Sequence, residues 1–334
     1  MTLAERVRAV AAHGFTERQA RFLVTVMLHS GVCMLRHYSA FAGLVHGQKT
    51  RDFFARLVAG RFATVYRCAH GRARLFHLHH RGLYEAIGEP HNRYRRPTPL
   101  ARAIERLMLL DAVLGSPDVT WLATERDKLA HFTLRLHTRL RREELPHLTF
   151  SNGRTTTVRY FPDKLPIGIQ AEDQTHVFVY LVTRPVPVDF RPFLTRHAEL
   201  LRALPRWTIR LLIPRHLEEA SGAYQTAWRD ELATPLRPAI VDELRWYFDQ
   251  RRRLDDASPC PAGPDELRYR RAREAFSAPR FRVLYRTWLR HGAPVLDAAV
   301  SPVLSDAIAR GRGGLERSVL PHHYLHLLPL VATA

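Results

Sequence analysis

The residues best suited to do chemistry lie in two short stretches near the N-terminus. Gln48, Lys49, Thr50, Arg51 and Arg56 fall at the start of, or along, one expected helix. Gln and Arg side chains can form paired hydrogen bonds with the edges of adenine and guanine, so Gln48 and Arg51 are candidates for reading bases. Lys49 and Arg56 suit phosphate oxygens, which position a protein on DNA without specifying sequence. Arg72 and Arg74 lie at the tip of an expected hairpin, where they suit a wing placed near the minor groove.

A third candidate is Asp163, in Phe161-Pro162-Asp163-Lys164 between two expected strands. A carboxylate at such a bend begins the magnesium site of some nucleases. That chemistry needs a second carboxylate and a lysine on the following strand to hold the ion and position water. The strand here, Val177 to Val182, is apolar. A turn-capping Asp is the simpler reading, no catalytic set is complete, and no metal or cofactor is expected. Of the 19 histidines, His77 with His79 and His322 with His326 have metal-compatible spacing. Neither pair has a third ligand pattern or the acid of an H-E-x-x-H motif. Phosphate-loop, nucleophile-elbow and dinucleotide fingerprints are absent.

The elements that must position these residues follow from periodicity and punctuation. Thr16-Glu17-Arg18-Gln19 is a capping box, and Phe22, Leu23, Val26 and Met27 repeat at helical spacing behind it. A short helix precedes it, over Leu3 to His13. Arg36 to Ala42 and Gly47 to Ala59 are expected helices, the latter with Phe53, Phe54, Leu57 and Val58 inward. Phe62 to Tyr66 and Leu75 to Leu78 alternate as strands around His70-Gly71-Arg72. Helix, short helix, turn, helix and hairpin is the order of a winged helix-turn-helix, expected over residues 1–90.

Residues 91–150 read as a basic linker and helical connector, with helices over Pro99 to Leu114 and Thr124 to Leu136. Residues 151–214 read as a small α/β domain. There Thr155 to Phe161 is expected to pair with Ile167 to Gln170, followed by a doubly buried strand over His176 to Val182. A helix then spans Phe190 to Leu204, before a strand over Thr208 to Ile213. Residues 215–334 read as a helical C-terminal region. Arg251 to Arg253 and Arg268 to Arg271 form basic clusters there. The fold class is therefore α+β and helix-rich: a winged helix-turn-helix, a small α/β domain and a helical C-terminal region.

Bulk composition agrees with a polyanion partner. Among 334 residues, 51 Lys and Arg outnumber 32 Asp and Glu, for a formal charge of +19. Arginine dominates, and its planar fork matches phosphate geometry. Cys33, Cys68 and Cys260 are odd in number and far apart, which fits a reducing cytoplasm better than a disulfide framework. No run approaches the roughly 18 apolar residues of a membrane span, and no membrane partner is expected.

The layout resembles the replication-relaxation family of plasmids and mobile elements. The resemblance rests on Thr16-Glu17-Arg18-Gln19-Ala20, the hairpin through His77, and Phe161-Pro162-Asp163, within residues 15–215. It implies an N-terminal winged helix followed by a degenerate nuclease-like domain. It also implies a part in replication, mobilisation or control of a mobile element. The resulting expectation is a non-enzymatic protein that binds double-stranded DNA, sequence-specifically or structurally, in replication, mobilisation or transcription regulation. A homodimer or a replication or mobilisation protein would be a further partner. A metal-dependent nuclease and a protein-interaction adaptor are the alternatives.

Overall fold

In the computed structural model, which describes residues 1–45, 47–68, 73–136, 140–151, 155–256, 264–324 and Leu327, two threonine caps start the chain's first helices. Thr2 opens α1 (Leu3–Ala11) and Thr16 opens α2 (Glu17–His29), each in a reciprocal capping box. These caps satisfy amide donors that a helix start leaves unpaired. Gly31, at φ 72°, then turns the chain in a left-handed conformation. A Cβ at Gly31 would lie 2.6 Å from the carbonyl oxygen of Tyr94, so glycine also permits a close chain crossing.

A two-residue strand follows, β1 (Val32–Cys33), then α3 (Leu35–Ala42), α4 (Gln48–Ala59), β2 (Ala63–Arg67), β3 (Arg74–Leu78) and α5 (Arg81–Ala86). The strands form one antiparallel sheet in the order β1-β3-β2. The hairpin and helices match the sequence reading, whereas β1 was not expected. Phe22, Tyr38, Phe53, Phe54 and Phe76 interlock beneath the sheet, with Tyr38–Phe53 and Phe54–Phe76 centroids both 4.5 Å apart. Each fully buried ring of this kind is worth roughly 1.5–3 kcal/mol in transfer free energy.

Next come α6 (Leu100–Leu114), β4 (Val119–Leu122), α7 (Glu125–Ala130), β5 (His147–Ser151), β6 (Thr156–Tyr160), β7 (Ile167–Gln170), β8 (His176–Leu181), α8 (Phe190–Ala203) and β9 (Trp207–Ile213). The remaining helices are α9 (Ser221–Trp228), α10 (Val241–Asp255), α11 (Pro264–Ala275), α12 (Pro279–His291), α13 (Pro294–Val300) and α14 (Val303–Ala309), before a last strand, β10 (Gly313–Val319). Five strands make the central sheet, ordered β10-β9-β8-β7-β4. β10, β9 and β8 run parallel, and β7 and β4 add antiparallel pairs.

Every residue of β8 is buried, as its apolar run requires. Strand alternation divides the core. Val179, Leu181 and Leu212 face Leu107 and Met108 of α6, while Phe178, Tyr180, Ile209 and Leu211 face Phe193, Leu194 and Leu201 of α8. The sheet is thus sandwiched between helices.

Two sequence expectations need correction. β6 does not pair with β7 but with β5, in a separate two-stranded sheet. Phe161 and Lys164 take positive φ angles of 47° and 57°, which turns the chain away after β6. The Phe161 amide then donates to the Pro146 carbonyl at 2.6 Å. β7 pairs instead with β4 and β8. The other difference concerns the segments. Residues 91–150, read as linker and connector, supply β4 to the sheet, and Leu110 of α6 packs in the N-terminal core. Residues 215–334, read as helical, supply β10.

Candidate nucleic-acid interface

Helical spacing decides which face of α4 meets solvent. Thr50, Phe53, Phe54 and Leu57 fall three, four and seven apart and are all buried. Gln48, Lys49, Arg51, Asp52 and Arg56 occupy the exposed side. α4 packs on α3 and β2, and its solvent face holds four of the five candidate residues expected on this helix.

Lys49 and Arg51 are exposed and make no ion pair among the described residues. Gln48 is exposed, with its amide donating to the Asp52 carboxylate at 2.6 Å. Thr50 is a correction. It is 1% exposed, and its hydroxyl sits 3.4 Å from that of Ser39 on α3, so it cannot reach a ligand. Arg56 is committed elsewhere on the surface: it donates to Gln19 Oε1 at 2.7 Å and lies 5.0 Å over the Phe15 ring. It straps α4 to the start of α2 and leaves little of its fork for phosphate.

In the hairpin, Arg74 is exposed and stands directly opposite Arg67. Arg72 lies outside the described residues. Like charges paired across two strands repel, and neither guanidinium has an acidic partner among the described residues. Arg67 escaped the sequence reading, although hairpin register alone would have set it across from Arg74. Tyr66 beside it is 43% exposed. A groove of about 170 Å³ runs along this hairpin, lined by Tyr66, Arg67, Leu75, His77, Thr98 and Leu100.

The surroundings of Asp163 differ in kind. Both of its oxygens accept from Nη1 of Arg196, at 2.6 and 2.8 Å. Lys128 is buried nearby, donating to the Leu165 carbonyl at 2.6 Å with its ammonium 5.5 Å from the Phe161 ring centroid. Burial, reinforced by the Arg93 charge, pushes the Lys128 ammonium down to about 7 against the pull of Asp163. Asp163 therefore faces cations, and no group of three or more His, Cys, Asp or Glu side chains that could hold a metal occurs among the described residues.

The expected histidine pairs are likewise engaged. His77 bonds through Nε2 to the Tyr94 carbonyl, and His79 to the Thr64 hydroxyl, both at 2.9 Å. His322 is 3.9 Å from Asp111, and His326 lies outside the described residues. In the C-terminal clusters, Arg251 stacks over Tyr285, Arg252 over Trp288 and Arg268 over Trp246. Arg268 also pairs with Glu243. These cations are largely spent on the α10–α12 core.

No helix among the described residues is long and apolar enough to cross a membrane. No family model, curated protein or solved structure matches this chain.

Proposed function

We propose that the chain binds double-stranded DNA through residues 1–90, acting as a winged helix-turn-helix without catalysis. α2, α3 and α4 serve as its helical core and β2–β3 as its wing. The observation that carries this reading is the pair of cations Lys49 and Arg51, exposed in the first turns of α4 and without an ion pair among the described residues. Those turns are where a recognition helix reaches base edges. Arg51 is the base reader and Lys49 a phosphate contact. The Arg67–Arg74 repulsion supports the reading further, because a phosphate laid between them would turn it into attraction.

The role extends to replication, mobilisation or regulation of a mobile element, on the strength of the family resemblance. It is a cytoplasmic role, compatible with buried free thiols at Cys33 and Cys68.

The test is duplex binding by anisotropy across a salt series. Arg51→Ala is expected to cost about 1–3 kcal/mol on a selected site and to relax its preference. Lys49→Ala is expected to weaken all duplexes alike and reduce the salt slope by about 0.9. Binding that ignores both substitutions would overturn the assignment.

A further inference from the structure

α12 presents a row of cations that the packing of the fold does not use. Leu284, Tyr285 and Trp288 turn inward to the helical core. Arg282, Arg286 and Arg290 recur every fourth residue on the opposite side, all exposed, and none makes an ion pair among the described residues. The helix contains no acidic residue. Like charges four apart on a helix repel one another. Arg282 adds a second penalty, since it lies near the helix's positive end, where cations are disfavoured. Only Arg290, in the last turn, is favoured by the helix itself. The row therefore works against the isolated helix.

We propose that this row is a second docking surface, for the phosphate backbone of duplex DNA. Four residues of helix advance about 6 Å, so Arg282 to Arg290 spans about 12 Å. Phosphates of one strand are spaced about 3.4 Å along the duplex axis, so the row covers three to four of them. Arginine's fork suits each contact. A membrane surface fits less well, because interfacial helices bury an apolar face in lipid. The apolar face of α12 is already packed inside the protein, leaving Leu289 as its one large exposed apolar side chain. The surface is distinct from α4. A chain with both would hold DNA at two places, either along one duplex or between two.

The test uses the full chain and a mixed-sequence 40-base-pair duplex, with affinity measured against salt. Changing Arg282, Arg286 and Arg290 together to Gln is expected to lower the salt slope by about 2–3, at about 0.9 per released contact. An equal loss of charge elsewhere, in an Arg237→Gln, Arg310→Gln, Arg317→Gln variant at exposed positions outside residues 1–90, is expected to leave the slope within one unit of the parent. Equal slopes for the parent and the α12 variant overturn the proposal, as does a loss matched by the control. Loss of binding to phosphatidylserine vesicles with duplex binding intact also overturns it. A Lys49→Ala, Arg51→Ala background separates this surface from the head formed by residues 1–90. Residual binding there that vanishes with the α12 changes supports α12. Head changes that abolish binding while α12 changes do nothing leave the head standing and remove this surface.

Discussion

Asp111 of α6 accepts both terminal nitrogens of Arg36 on α3, at 2.5 and 2.7 Å. The same carboxylate accepts the Tyr324 hydroxyl at 2.5 Å. His37 completes the set. Its Nδ1 accepts from the Met34 amide at 2.8 Å, so Nε2 carries the proton and faces Asp111 at 3.1 Å. Burial alone would raise the Asp111 pKa, but the nearby His37 ring and the hydrogen bonds from Arg36 prevail and hold it well below the usual carboxylate range. One mostly buried carboxylate thus ties the head, α6 and the segment after β10 together. Removing one member of such a network strands the others' charge. Asp111→Asn is expected to destabilise the chain by about 3 kcal/mol, read as a lower urea midpoint. A midpoint unchanged from the parent would show that the three segments are held by packing alone.

Acid should weaken the fold before its carboxylates titrate. Burial pushes His29 down to about 3 and His197 down to about 4. Unfolded, both take up a proton near pH 6.5; folded, they stay neutral until far lower. Their depressed values mean stability is fully present above about pH 6.5 and is lost as pH falls toward 4. Between pH 6.5 and 4.5 each costs at most about 3 kcal/mol. Urea midpoints measured across that range should fall steadily. His197→Phe, which keeps a ring between Phe178 and Phe193, should remove part of the decline.

Neighbouring positions on α4 should behave oppositely. Thr50→Val keeps the buried volume and loses only the hydroxyl facing Ser39, so duplex affinity should stay within about twofold while stability falls by about 1 kcal/mol. Asp52→Asn removes an anion from the exposed face and loosens its hold on Gln48. Duplex affinity at low salt is expected to rise several-fold, as the repulsion of phosphate disappears. Weaker binding by Asp52→Asn would instead mark this carboxylate as a base contact.

Gly168 sits in β7 where a Cβ would come within 2.3 Å of Val119 and 3.0 Å of the Trp121 ring. Both neighbours lie on β4, so Gly168→Ala must push that edge strand outward. A cost of about 1–3 kcal/mol is expected. Thermal unfolding measures it, and a neutral result would mean that β4 yields freely.

The head was legible because its signals are local. Thr16 and Gln19 form their capping box within one turn, and Gly43 and Gly31 end helices at once. Thr50 was misread although the same periodicity exposes the error: three and four residues before Phe53 and Phe54, it shares their buried stripe. β1 is two residues long and shows no alternation, so only its pairing with β3 defines it. β4 and β10 were missed for a related reason. Their partners are distant in sequence, and pattern alone does not say which strand adds to which sheet. The α12 row was visible as spacing, but its lack of acidic partners was not.

The placement of β10 has a consequence for how the chain is made. Arg210 of β9 and Glu316 of β10 meet at 2.8 Å, yet 106 residues separate them. During synthesis, β9 emerges with its outer row of amides and carbonyls unpaired. It stays so while the six helices α9 to α14 and their loops are translated. Over that interval the nascent polypeptide displays a sticky apolar ribbon. Ribosome-bound holding factors, or rapid docking of α14 nearby, would then decide between maturation and clumping.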